Sequence, residues 1–189
     1  MTTPRILAFA ASTRTGSFNA RLLDAAVRHL RDAGAEVTDI SLADYDMPIY
    51  NGDIEADDGV PEAAGRLHER FRTHDGIFIA SPEYNANATP LLVNSLAWLS
   101  RVQENGGAGA AFGQPVFALG SASPGGFGGY RGLMALRHML ELQLGARVLP
   151  QMVSVAGAHE GFDSDGEIVA EFPRKMLKAV VDSLVKTAG

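Results

Sequence analysis

The chain has no cysteine, which excludes disulfides, thiolate catalysis and cysteine-ligated metal or iron–sulfur sites. No apolar run approaches the ~20 residues of a membrane helix. The opening Met-Thr-Thr-Pro-Arg leads into an apolar stretch too short for a signal sequence and without a cleavage site. A cytoplasmic protein with no membrane partner is therefore the expectation. Basic residues are in deficit: 16 Lys and Arg against 22 Asp and Glu give a formal net charge of −6. No nucleic acid partner is expected from that balance. Two phosphate motifs are missing as well. Without G-x-x-x-x-G-K-[ST], nucleotide hydrolysis on a P-loop is disfavoured. Positions 10–15 read Ala-Ala-Ser-Thr-Arg-Thr, where a Rossmann dinucleotide cradle would need G-x-G-x-x-G. The five histidines show no ligand spacing, and His29 and His138 are expected to face solvent. Asp53, Glu55, Asp57 and Asp58 read as an acidic loop without the 12-residue calcium pattern.

What is present is 189 residues, 46% hydrophobic and 20% charged, enough for a single domain over residues 1–189 with a full core. The most informative stretch is 9–19, Phe-Ala-Ala-Ser-Thr-Arg-Thr-Gly-Ser-Phe-Asn. It lies between the apolar run Ile6–Ala10 and a helical pattern that begins Ala20-Arg21-Leu22-Leu23. A strand, a loop of hydroxyls with one arginine, and a helix together build an anion site. The helix start offers unpaired N–H groups and a partial positive charge. Ser12, Ser17 and Asn19 add neutral donors, and Arg14 adds a forked cationic one. Such a donor set suits a terminal phosphate like that of FMN. Ser17 or Asn19 could instead do no more than cap the helix.

Strand-like runs at Arg5–Ala10, Glu36–Ser41, Gly76–Ala80, Pro115–Gly120 and Arg147–Val155 alternate with helical patterns near 17–33, 61–73, 89–101, 130–143 and 167–187. Pro173 inside the last pattern marks a first turn or a kink. The alternation predicts an α/β fold with a parallel sheet covered on both faces. Three unusual loops each follow a strand: Ser12–Asn19, Ser81–Asn87 and Ser121–Gly132. In a five-stranded sheet of order 2-1-3-4-5 these loops meet at the switch point, where open α/β sheets bind ligands. Ten of the 21 glycines fall between 106 and 132, which lets backbone approach a flat ligand there. Trp98 is expected in the core or an interface, and Asp163-Ser164-Asp165-Gly166 as a turn and helix cap.

Taken together, the loops make the chain resemble the NAD(P)H-dependent FMN reductases of flavodoxin-like fold, a family that includes quinone, azo-dye and chromate reductases. The pattern G-S-x-R-x-x-S-x-N-x-x-L is matched by Ser12, Arg14, Ser17, Asn19 and Leu22. P-E-Y-N stands intact at Pro82–Asn85, followed by Pro90 and Leu92-x-Asn94-x-x-x-Trp98. Gly128-Gly129 with Arg131-Gly132 resembles the glycine pair of the third loop.

The resemblance implies a flavodoxin-like three-layer sandwich and a two-electron, ping-pong oxidoreductase with FMN as cofactor and NADPH or NADH as donor. Quinones, azo compounds, free flavin or metal oxyanions would be the small-molecule acceptors. It implies phosphate contacts from Ser12, Arg14, Ser17 and Asn19, and isoalloxazine contacts from Pro82, Glu83, Tyr84 and Asn85. Ser121, Gly125 and Gly126 would approach the ring from the third loop. No protein acid or base is implied, because hydride chemistry belongs to the cofactor. The alternative is a flavodoxin-like electron-transfer protein that does not itself oxidise NAD(P)H.

Three positions depart from the family pattern. Ala11 replaces the first-loop glycine, which is tolerable if its φ is negative. Val93 and Ala97 stand where lysine and aspartate are common. Relatives assemble as dimers or tetramers, so a homodimer or homotetramer is implied. The apolar stripe Leu91, Leu92, Val93, Leu96, Ala97, Trp98 and Leu99 is expected to be partly exposed in a single chain and to form the interface.

Overall fold

Strands covered on both faces should read as continuous apolar runs, and the centre of this sheet obeys that rule. The computed structural model describes residues 2–189. Its five strands are β1 (Arg5–Ala10), β2 (Glu36–Ser41), β3 (Gly76–Ala80), β4 (Val116–Ala122) and β5 (Arg147–Val155). They form one sheet in the order β2-β1-β3-β4-β5, with every neighbouring pair parallel. All of β3 and β4 is buried, as is β1 beyond Arg5.

Alternation along the strands divides the core into two layers. Ile6, Ala8, Phe78, Ala80, Val116 and Ala118 point to one side. There they meet α1 (Phe18–Asp32) and α6 (Glu171–Ala188) through Leu22, Ala26, Leu177 and Val181. Leu7, Phe9, Ile77, Ile79, Phe117 and Leu119 point to the other. That face is covered by α3 (Glu62–Arg72), α4 (Pro90–Leu99) and α5 (Tyr130–His138). Phe71 centres an aromatic cluster there, with Phe9, Phe112 and Phe117 between 5.8 and 6.2 Å from its ring.

The edges are managed differently from the centre. β2 is mostly half-buried or exposed. β5 carries Pro150 at an irregularity in its pairing with β4, a position where a missing N–H does least harm. Arg137 donates to the carbonyls of Val148 and Pro150, occupying acceptors that an edge would otherwise offer to another strand.

The expected architecture and sheet order are observed, with local corrections. β4 runs from Val116 to Ala122 instead of 115 to 120. The fourth predicted helical stretch, 130–143, is α5 followed by a wider π turn at Met139–Gln143. The last helix starts at Glu171, so Pro173 sits in its first turn, where a proline loses nothing. The acidic stretch expected as a loop forms a short helix, α2 (Gly52–Asp58), capped by Asn51. Asp163 does shape a turn, accepting from the N–H groups of Asp165 and Glu167, but it caps no helix. Of the ten clustered glycines, Gly106, Gly107, Gly109 and Gly113 precede β4 and so lie at its amino end, away from the loops that follow the strands. Trp98 is fully buried. No helix among the described residues is long and apolar enough to cross a membrane.

Candidate functional site

Three loops leave the carboxyl ends of β1, β3 and β4. Their residues Ser12, Arg14, Ser17, Phe18, Asn19, Pro82, Glu83, Tyr84, Ala122, Ser123 and Pro124 line one cavity of about 140 Å³. A larger groove along α3, about 840 Å³, shares no residue with it.

The first loop closes around the capped start of α1. Ser17 caps α1 by accepting from the Asn19 N–H at 3.2 Å. Before it, the Ser17 N–H bonds the Arg14 carbonyl at 3.1 Å. That turn holds Gly16 at φ 68°, a left-handed value that favours glycine. Ser12 accepts from the Arg14 N–H at 3.4 Å. The guanidinium of Arg14 folds over its own loop, donating to the carbonyls of Thr15 and Gly16 at 3.2 and 3.1 Å. It is exposed, so those bonds are readily exchanged for an anion. Ala11 is fully buried and is not among the residues with positive φ, so alanine is tolerated there.

Asn19 differs from the expectation of a free donor. Its amide donates to the Ala122 carbonyl at 2.9 Å and accepts from the Ala122 N–H at 3.0 Å. The side chain therefore joins the first turn of α1 to the end of β4, and it lines the cavity while already paired.

The second loop is a tight reversal. Tyr84 and Asn87 exchange two backbone hydrogen bonds, both 3.0 Å. Asn85 and Ala86 between them have φ of 52° and 58°, the type I′ pattern of a two-residue turn. Asparagine tolerates that conformation, whereas alanine pays about 1–2 kcal/mol for it. Thr89 fixes the exit, since its hydroxyl accepts from the Leu92 N–H of α4 and donates to the Ala11 carbonyl at 2.9 Å. Glu83 was expected on the ring side, yet its carboxylate is paired elsewhere. It accepts from Arg131 Nε at 2.8 Å, from Arg131 Nη2 and from the Gly132 N–H at 3.1 Å. Burial pushes this carboxyl up, and the Arg131 guanidinium and the Gly132 N–H outweigh it, so Glu83 stays below the usual carboxylate range. Asn85 is exposed and lies outside the cavity lining.

The third loop brings Ser123 and Pro124 to the cavity, two residues the sequence pattern did not single out. Gly125 and Gly126 follow and are exposed just beyond it. Ser121, expected at the ring, is fully buried and does not line the cavity. A Cβ on Gly129 would sit 1.9 Å from the Ser121 hydroxyl, so the loop turns directly over that serine. The Ser121 hydroxyl has no hydrogen-bond partner.

The donor set fits a phosphomonoester. It combines a helix start, the Ser12 and Ser17 hydroxyls and an arginine with replaceable partners, beside two aromatics and two prolines that offer apolar walls. Among the described residues, no group of three or more His, Asp or Glu is placed to hold a metal ion. A family model described as NADPH-dependent FMN reductase matches residues 4–160. The chain belongs to this family of enzymes. An NAD(P)H-dependent FMN reductase of Pseudomonas aeruginosa is 30% identical over 181 residues, covering 95% of this chain and 92% of that one. A quinone reductase of Escherichia coli K12 is 33% identical over 137 residues, or 72% and 69% of the two chains. Among solved structures, the FerB NAD(P)H:(acceptor) oxidoreductase of Paracoccus denitrificans superposes with a TM-score of 0.78. It is 24% identical and covers 98% of this chain and 97% of its own, a likeness of fold.

One further element of this reductase carries no simple sequence signal. Residues 46–51 form an extended strap across α4. Asn94 donates to the Pro48 carbonyl at 2.9 Å and accepts from the Tyr50 N–H at 2.8 Å. Trp98, one turn on, donates to the same carbonyl at 2.7 Å and meets the Tyr50 ring edge-on at 5.0 Å. The spacing of Asn94 and Trp98 puts both on one helix face, and that was the available clue.

Proposed function

We propose that this enzyme binds FMN in the three-loop cleft, takes two electrons from NADPH or NADH, and passes them in a ping-pong cycle to a small acceptor. Quinones, azo compounds, free flavin and metal oxyanions are the acceptor classes. The observation that carries this reading is the shared cavity. It joins Ser12, Arg14 and the capped start of α1 to Pro82–Tyr84 and Ser123–Pro124.

Ser12, Arg14, Ser17 and the N–H groups opening α1 would hold the phosphate dianion, with charge-assisted bonds and the helix dipole acting together. Pro82, Glu83, Tyr84 and Asn85 would border the ring through backbone and the tyrosine face, with Gly125 and Gly126 opposite. Asn19 and Ser121 support the cradle from behind. The bound flavin supplies hydride and electron transfer. The protein holds it, orients the partner and needs no acid or base of its own. Glu83 fits that view, because its carboxylate is already paired.

The test is direct. The purified protein should bind FMN and oxidise NAD(P)H when a quinone is added. Absence of both flavin affinity and quinone-dependent oxidation overturns the reading. Stopped-flow mixing of the flavin-loaded protein with NADPH separates an enzyme from an electron carrier, since a carrier stays yellow until a reductase is added.

A further inference from the structure

Arg131 stands at the junction of two cleft walls. On one side its guanidinium pairs with Glu83, whose side chain is only 8% exposed. On the other it lies 4.7 Å from the centroid of the Phe127 ring. Phe127 is anchored in turn, its carbonyl accepting from the Ser154 hydroxyl of β5 at 3.0 Å. Gly132 completes the joint. A Cβ there would meet the Asn87 carbonyl at 2.9 Å and Glu83 Cβ at 3.0 Å, so α5 packs against the second loop with no side chain between them.

The second loop needs such a restraint. Two consecutive non-glycine residues at positive φ form a turn that relaxes unless its surroundings hold it. Only the Tyr84–Asn87 pair closes it from within. The buried Glu83 carboxylate, one residue before the turn, holds it from outside.

We propose that Arg131 is a positioning residue which, acting through Glu83, holds the Tyr84–Asn87 turn in its strained conformation and fixes the spacing between that turn and the Phe127 loop. The ligand concerned is the FMN of the proposed function, on which this inference rests. Arg131 sets the width of the slot for a flat ring without touching the phosphate cradle.

The experiment uses purified apoprotein and two readouts. The first is amide hydrogen exchange at Asn87, whose N–H bonds the Tyr84 carbonyl within the turn. Exchange there should quicken at least about tenfold in Arg131→Ala and Glu83→Gln, while β1 and β3 keep wild-type protection. The second is FMN binding by flavin fluorescence quenching. Both variants should bind about ten- to a hundredfold more weakly than wild type, since Arg131→Ala orphans the buried carboxylate and Glu83→Gln breaks the charge-assisted fork. Arg131→Lys, which keeps the charge and loses the fork, should fall between them and wild type. Adding Ala86→Gly to Glu83→Gln removes the steric cost of the turn and should recover part of the affinity. Unchanged Asn87 exchange in both variants overturns the proposal whatever the flavin result. Weakened binding that Ala86→Gly does not relieve also overturns it, since Glu83 would then act other than through the turn. Failure of wild type to bind FMN sinks the proposed function and leaves the exchange result standing on its own. Should Glu83→Gln fail to fold, Arg131→Lys supplies both readouts.

Discussion

The side-chain amide of Asn19 and the backbone of Ala122 bond to each other in both directions, across 103 positions of sequence. The pair does for α1 and β4 what a rung of sheet does for two strands. It sits on the floor of the cleft, so the loops after β1 and β4 keep a fixed separation. Asn19 is 3% exposed. Asn19→Ala leaves both Ala122 groups unpaired in a buried place, and about 2–4 kcal/mol of stability should be lost. The urea midpoint should fall accordingly, with an unchanged slope. A midpoint within error of wild type would show that water replaces the amide freely.

Arg14 presents the opposite case. Its bonds go to carbonyls of its own exposed loop, and no buried group depends on them. Arg14→Ala should therefore leave the urea midpoint nearly unchanged. FMN binding should weaken by about 1–3 kcal/mol, the range for a lost charge-assisted contact. Urea unfolding checks the first half and calorimetric titration of the apoprotein with FMN the second, and wild-type flavin affinity would remove Arg14 from the phosphate site.

The contrast between Asn19 and Arg14 marks how far the sequence could be read. The parallel α/β class was legible because the central strands are buried on both faces and the helices between them show a clean apolar spacing, while the strand order was what the family resemblance implied. The three loops that share one cavity stood out because each follows a strand and carries unusual residues. What could not be read was the use each side chain makes of its polarity. Asn19, Glu83 and Ser121 all look like ligand contacts in a local window. Their surroundings come from 103 positions away for Asn19, 48 for Glu83 and the Gly129 backbone for Ser121. α2 was missed for a different reason. It buries none of its residues, so it leaves no apolar period. Instead it is held by Asn51 and by Glu55, which accepts from Tyr50 and Arg101. His29 was expected to face solvent and instead bonds Glu167 at 2.9 Å.

Glu167 links α1 to the turn that precedes α6. One carboxylate oxygen accepts from Arg28 Nε and Nη2 at 3.1 and 2.8 Å, and the other lies against His29. Burial raises this carboxyl, and His29 and then Arg28 outweigh it, so its folded pKa lies below the ordinary 4.5. A carboxyl with a lowered folded pKa stabilises the fold above its unfolded value, and that contribution disappears as pH falls through the folded value. Glu167→Gln should therefore lower the urea midpoint at pH 7. The gap between variant and wild type should close as pH falls from 4.5. Midpoints measured from pH 3 to 7 give the comparison. A gap independent of pH would mean that Glu167 acts through packing alone.

The strap over α4 makes Asn94 a second two-way amide joint. Asn94→Ala removes both bonds to Pro48 and Tyr50 and should cost about 1–3 kcal/mol. Trp98 is the chain's one tryptophan and bonds the same carbonyl, so its fluorescence reports on the strap. Loosening should shift Trp98 emission to the red at urea concentrations below global unfolding. Coincident fluorescence and circular dichroism transitions in Asn94→Ala would show that the strap has no separate stability.

The strap also changes the argument for assembly. The apolar stripe of α4 was expected to lie partly open, yet Leu92, Leu96, Trp98 and Leu99 are buried within the chain, and only Val93 is left substantially exposed. The strap covers Trp98 and creates a new exposed group in doing so. Ile49 is 85% exposed, while the backbone on either side is pinned at Pro48 and Tyr50. A large apolar side chain held out from a fixed backbone has little to lose on association, because its backbone order is already established. A two-fold self-contact is therefore expected to involve Ile49 together with Val93 on the underlying helix, which starts at the second cleft loop. The expectation is a homodimer or larger assembly, with a light-scattering mass well above 20.0 kDa at micromolar concentration. Ile49→Asp should shift it toward the single chain without moving Trp98 emission. Phe172→Asp, at an equally open position on α6, should leave the mass unchanged. A wild-type mass near 20.0 kDa would refute the assembly, and a dimer insensitive to Ile49→Asp would move its interface elsewhere.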